Sequence, residues 1–155
     1  MEPRGGGPIG PWAVPGEPPA MSHRKQVITS DLDEAHRVQA EIELALQGHF
    51  SEAEIFGIKL AVEEALVNAV KHGNQMDPSK SVRVVYLIRP GHFEITIGDE
   101  GPGFDPADVP DPTAPENLER PCGRGLLLMR HYMNEVRYNA TGNEVHMSKL
   151  RNGTR

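Results

Sequence analysis

The run Leu60-Ala61-Val62-Glu63-Glu64-Ala65-Leu66-Val67-Asn68-Ala69-Val70-Lys71-His72-Gly73-Asn74 constrains this chain more than any other stretch. It reads as the second half of a long helix that begins near Ser51 and stops at Gly73. Ser51 suits the N-cap, and Glu54 three residues later completes a capping box. Gly73 and Asn74 both tolerate the left-handed backbone that ends a helix. Ile55, Ile58, Val62, Ala65, Leu66 and Ala69 recur at helical spacing as one apolar stripe. At roughly 100° per residue, Glu64 and Asn68 fall well over 90° from the centre of that stripe. They are neighbours on one face, with His72 one turn further along. Taken alone, such a face is an ordinary solvated surface. A carboxylate and an amide oxygen there are also what is needed to grip something polar.

Before this helix, residues 1–22 are dominated by Pro and Gly and are expected to be a disordered tail, with Met21 an alternative start. Residues 23–152 are expected to form one domain. Gln26–Ser30 is a short strand candidate. Asp31 or Asp33 caps a helix through about Leu46, with Ala35, Val38, Ile42, Ala45 and Leu46 as its inner face and Gly48 ending it. Ser81–Arg89 is strongly β-prone, Pro90-Gly91 is a turn, and His92–Asp99 alternates polar and apolar residues like a half-buried strand. Residues 100–124 are rich in Pro and poor in apolar side chains, as suits a lid or binding loop. Leu126–Met133 reads as a helix, and Glu135–Tyr138 with Glu144–Lys149 as a closing hairpin. The element order predicts an α+β fold, a two-layer sandwich with a mostly antiparallel, five-stranded mixed sheet and three helices on one face.

A chain of 155 residues with net charge −6 does not favour nucleic acid or an anionic membrane as the main partner. Its single cysteine, Cys122, excludes an internal disulfide framework and a zinc ribbon. No stretch approaches the roughly 20 apolar residues that span a bilayer, and no apolar signal core is present, so a cytoplasmic location is expected.

The chemistry sits in three segments. Glu64 and Asn68 share a helical face; Asp99-Glu100-Gly101-Pro102-Gly103 follows a strand end; Gly123-Arg124-Gly125 leads into a helix. Glycines let backbone approach a ligand closely, and a helix N-terminus offers N–H groups to phosphate. An Asp beside a glycine turn accepts a hydrogen bond from an exocyclic amine, and an Asn amide oxygen suits hard Mg²⁺. Neither a P-loop nor a Gly-x-Gly-x-x-Gly occurs. The Asp99–Asp111 stretch lacks the ligand and glycine positions of a calcium loop. What remains is a nucleotide pocket of another type.

The order of helix with Glu-x-x-x-Asn, strand ending in Asp-x-Gly-x-Gly, long lid, and Gly-x-Gly into a helix resembles the GHKL ATPase superfamily with its Bergerat ATP-binding fold. Within it the chain looks most like the anti-sigma factor serine/threonine kinases, through Glu64–Gly73, Leu118-Glu119-Arg120 and Met133-Asn134-Glu135-Val136. The resemblance covers about residues 26–150. It implies ATP and Mg²⁺ as cofactors, with Glu64 as general base and Asn68 as the metal ligand. It implies Asp99 on the adenine amino group, Gly101 and Gly103 shaping the purine pocket, and Gly123 and Gly125 on the phosphates. Arg120 or Arg124 would reach the γ-phosphate, and His72 ends the motif at the same site. The implied partners are a sigma factor and a STAS-type anti-sigma factor antagonist, with a homodimer also expected. Three features depart from the pattern: Asn143 where relatives commonly place Thr, the bulky Arg124, and a Pro-rich lid. Two functions follow: a kinase that phosphorylates the antagonist, or an ATP-binding anti-sigma or adaptor module without phosphotransfer. A detached histidine-kinase catalytic domain is disfavoured by the His72-Gly73 ending.

Overall fold

Two side-chain caps start the helical layer. In the computed structural model, which describes residues 22–103 and 121–151, the Asp31 carboxylate accepts the Asp33 N–H at 2.7 Å and opens helix α1, Leu32–Leu46. Ser51 Oγ accepts the Glu54 N–H at 3.1 Å while Glu54 accepts the Ser51 N–H at 3.0 Å, so the expected capping box opens α2, Glu52–Val67. Gly48, at φ +86°, turns the chain between them. Ser51→Ala would orphan the Glu54 N–H, and urea unfolding should show a loss of about 1 kcal/mol.

Five strands form one sheet in the order β1-β2-β3-β5-β4: β1 Ser22–Thr29, β2 Ser81–Arg89, β3 His92–Gly98, β4 Glu135–Tyr138 and β5 Glu144–Leu150. All four ladders are antiparallel, so among the described residues the sheet contains no parallel pair. β1 begins at Ser22 rather than at Gln26. His23, Arg24 and Lys25 show no apolar alternation, yet they pair along β2 opposite Leu87, Tyr86 and Val85. An edge strand needs only a backbone partner, and charged side chains there protect the edge.

Alternate residues of the strands point into the core: Val82, Val84, Tyr86 and Ile88 from β2, Phe93, Ile95 and Ile97 from β3, Val145 and Met147 from β5. They meet Val38, Ile42 and Leu46 of α1 and Ile58, Val62 and Leu66 of α2 in one cluster. Helix α3 spans Pro121–Tyr132, and Met129 and Met133 are buried in the same core. Proline at the first helical position costs no hydrogen bond, so the helix starts ahead of the glycines. Gly123-Arg124-Gly125 lies inside its first turns, not before it, and the expected lid loses its last four residues to the helix. Residues 1–21 and 104–120, including Arg120 and most of the lid, lie outside the described residues.

Helices α2 and α3 run antiparallel through two close approaches. At one end Gly57 faces the Tyr132 ring, where a methyl group would sit 3.1 Å from Cγ. At the other, Gly125 faces Glu64, where a methyl group would sit 2.9 Å from Cδ. Seven residues separate the contacts on each helix, two turns, so the pair touches twice along one seam.

Candidate functional site

The long helix does not end as a regular α-helix. From Asn68 to Gly73 it widens into a π-helical turn, a feature often found at functional sites. The Asn74 N–H reaches back to Ala69 C=O at 2.9 Å and the Met76 N–H to Val70 C=O at 2.8 Å. The left-handed residues are Gln75 (φ 54°) and Met76 (φ 60°); Asn74 stays at φ −90°. Gly73 and Asn74 therefore do not supply the expected left-handed stop, because the wider turn carries the chain on for two more residues. Gly73 is needed for another reason. A methyl group there would lie 2.6 Å from Asp99 Oδ1.

This segment forms one wall of a cleft. Ala65, Asn68, Ala69, His72 and Gly73 line it on the helical side; Ile97 and Asp99 line it from β3, with Pro102 and Gly103 just beyond. Tyr138, Gly142, Asn143, Glu144 and Val145 close it from the β4–β5 hairpin. The structure thus brings together Asn68, His72, Asp99 and Gly103. Gly101 is buried and works underneath: a methyl group on it would lie 2.7 Å from the Gly73 carbonyl carbon. Gly103, at φ +75°, presses on the hairpin, and a methyl group would sit 2.8 Å from Thr141 C.

Asp99 is half-buried, and burial raises its pKa above the ordinary carboxylate value; the Gly101 N–H on Oδ1 at 2.8 Å and the charges of Arg83 and Lys80 offset part of that rise. Glu64 does not line the cleft. It is half-buried under the start of α3 instead of facing water, and burial raises its pKa; His72 opposes the rise and Glu63 adds to it. A carboxylate with increased proton affinity is a better base than a solvated one. Gly123 and Arg124 are placed by the backbone in the first turn of α3, and their side chains are outside the described residues.

Two contributors, Tyr138 and Asn139, carry no specific site signal in the sequence, and Asn143, noted there only as a departure from the pattern, has a defined place. Tyr138 lines the cleft from the end of β4. Asn139 organises the hairpin tip: its Oδ1 accepts the N–H groups of Gly142 (2.8 Å), Asn143 (3.1 Å) and Glu144 (3.2 Å). Asn143 then joins the hairpin to the glycine turn, its C=O accepting the Asp99 N–H at 2.9 Å and its Nδ2 donating to Gly101 C=O at 3.3 Å. It braces the Asp99 end of the cleft. The Asn-rich tip was the available signal, but any hairpin turn carries such residues.

Among the described residues no group of three or more His, Cys, Asp or Glu side chains could hold a metal ion by itself. Asn68 in the cleft fits the alternative, an ion shared between one amide oxygen and the oxygens of a phosphate chain. Likewise no described helix is long and apolar enough to cross a membrane.

Comparison with known proteins agrees with this arrangement. The serine-protein kinase RsbW of Bacillus subtilis is 35% identical over 109 residues, covering 66% of this chain and 68% of that protein. The anti-sigma F factor of Halalkalibacterium halodurans is 40% identical over 87 residues, 54% of this chain and 59% of the relative. The serine-protein kinase RsbW of Oceanobacillus iheyensis is 35% identical over 96 residues, 58% and 61%. The chain thus spans about three-fifths of the length of several curated relatives it matches. Among solved structures, the RsbU and RsbW domains of Rv1364c from Mycobacterium tuberculosis share the fold, with a TM-score of 0.54 at 18% identity over 84% of this chain and 31% of that one. The profile of the histidine kinase-like ATPase domain matches residues 28–149. With its antiparallel α+β sheet, three helices and cleft at the end of the long helix, this chain belongs to the histidine kinase-like ATPase domain family.

Proposed function

We propose that the chain is an ATP-dependent serine/threonine protein kinase that acts as an anti-sigma factor. In this reading it binds a sigma factor, and it phosphorylates a STAS-type anti-sigma factor antagonist. The observation that carries the proposal is the pairing on one helix of Glu64, half-buried under α3, with Asn68, four residues on, which lines the same cleft as Asp99. Adapter modules need only the second and third of these.

Asp99 accepts a hydrogen bond from the adenine amino group, and the apolar wall of Ala65, Ala69, Ile97 and Val145 covers the ring. Asn68 offers its amide oxygen to Mg²⁺, which when bound neutralises charge on the phosphates. Gly123 and Gly125 place the first-turn N–H groups of α3 toward the phosphate end. Glu64 accepts the proton of the incoming serine or threonine hydroxyl as that oxygen bonds to the γ-phosphorus and the bond to the β-phosphate oxygen breaks, leaving ADP. Arg120 or Arg124 supplies positive charge to the transferred group.

Asn68→Ala should abolish the Mg²⁺-dependent part of ATP binding, read by titration calorimetry with and without magnesium. The deciding experiment is a pull-down from the native host with and without ATP·Mg²⁺, followed by phosphosite mapping. A phosphorylated serine or threonine on a small antagonist supports the kinase. A nucleotide-dependent complex without phosphate transfer supports the adaptor reading, which has one observation in its favour: α3 covers Glu64. Homodimer formation and a cytoplasmic location belong to the same proposal.

A further inference from the structure

Asn74 is fully buried (0% exposed), and neither chemistry nor the resemblance assigns it a role. Its amide joins three segments that meet behind the cleft. Nδ2 donates to Ser81 C=O at 2.9 Å, at the start of β2, and Oδ1 accepts the Glu100 N–H at 2.8 Å, just past β3. Asn74 itself closes the π-turn that begins at Asn68.

The register shows what this amide displaces. β2 pairs with β3 through Arg83↔Gly98. Two residues further, Ser81 would stand opposite Glu100, and the ladder would continue through the turn. Instead the Asn74 side chain occupies that place, one amide thick, with its two ends satisfying the backbone groups on either side. The strands are held apart, β3 stops at Gly98, and the chain leaves the ladder at Asp99. The Glu100 carboxylate locks the outside of the joint by accepting the Ser81 N–H at 2.7 Å and the Ser81 hydroxyl at 2.9 Å. On the inside, Gly73 C=O lies against Gly101 and the Gly73 Cα against the Asp99 carboxylate.

We propose that Asn74 is a positioning residue for base recognition: it ends the β2–β3 ladder, holds the Asp99–Gly101 turn against the π-turn, and so sets the Asp99 carboxylate at a fixed distance from Asn68. It acts through Asp99 and touches no ligand. The inference rests on the nucleotide reading given above. One buried amide then links the group that selects the base to the residue offered to the metal, across the six residues from Asn68 to Asn74 in one direction and a strand pair in the other. Without it the two unpaired backbone groups, Glu100 N–H and Ser81 C=O, would close on each other and draw Asp99 back into the ladder.

The test compares Asn74→Ala with Asn74→Asp in the full chain, measuring affinity for Mg·ATP, Mg·GTP and Mg·tripolyphosphate by calorimetry alongside thermal melting. Asp at this position keeps the acceptor for Glu100 N–H and loses the donor to Ser81, so both variants melt lower than the parent. The expected result is that Asn74→Ala loses about tenfold or more of the preference for ATP over GTP, while Asn74→Asp keeps it and tripolyphosphate binds all three proteins alike. The inference is overturned if the preference is retained in Asn74→Ala, or if it falls in both variants in step with their melting temperatures. Should Asn74→Ala not fold, Asn74→Ser replaces it, because a hydroxyl is too short to span both backbone groups, and the same ratio is read. If the unsubstituted protein gives no Mg·ATP signal, the nucleotide reading itself fails, an outcome separate from either of these.

Discussion

Glu64→Gln should abolish phosphate transfer while leaving Mg·ATP bound, and the same variant should melt at a higher temperature than the parent at neutral pH. The first effect follows from removing the proton acceptor, a loss of about 10²–10⁴-fold in turnover, measured by transfer of label to the antagonist. The second follows from burial. Glu64 has a pKa raised above its ordinary value because α3 covers it, so folding disfavours its charged form. A raised carboxylate leaves stability intact below the unfolded-state pKa and removes it as pH rises through the folded pKa. Glutamine carries no such penalty. The melting difference between variant and parent should therefore be small near pH 4 and grow toward pH 7, a profile differential scanning fluorimetry can follow. Unchanged transfer in Glu64→Gln would remove the base assignment, and absence of transfer from the parent itself would leave the adaptor reading.

Gly101→Ala should eliminate nucleotide binding and lower stability together, whereas Gly73→Ala should cost binding with a smaller effect on stability. The two methyl groups meet different neighbours. At Gly101 the obstacle is backbone, with the Gly73 carbonyl carbon at 2.7 Å; the turn must move as a unit, losing the Gly101 N–H bond to Asp99. At Gly73 it is a side chain, with Asp99 Oδ1 at 2.6 Å; Asp99 can rotate away, but from there it no longer meets the base. A charge-assisted hydrogen bond to a carboxylate is worth about 1.5–3 kcal/mol, so Gly73→Ala should weaken Mg·ATP about 10- to 100-fold, and Gly101→Ala at least as much. Titration calorimetry with parallel melting curves separates them. Equal binding by Gly73→Ala and the parent would show that Asp99 does not read the base.

Much of this was legible in the residues because it is local. Ser51 and Glu54 announce a helix start wherever they fall, and the alternation in β2 and β3 fixes which side chains turn inward. The convergence of Asn68 with Asp99 was readable from the order of motifs. The parts that escaped depend on tertiary approach. Gly73 looks like a helix stop, and only its contact with Asp99 shows that the missing side chain matters. Asn74 looks like a cap, and only the β2–β3 register shows what its amide replaces. The strand at Ser22–Lys25 is stabilised by its neighbour's backbone and leaves no pattern of its own. A helical wheel puts Glu64 on an outward face because it knows one helix; α3 turns that face into an interface.

The strand order carries one more consequence. β5 comes last in the sheet's sequence yet lies between β3 and β4, and its hairpin supplies the carbonyl that holds the Asp99 amide. A chain cut before this hairpin would keep the helical wall and the aspartate but lose the carbonyl that holds the Asp99 amide and the cleft wall that Tyr138 to Val145 supply.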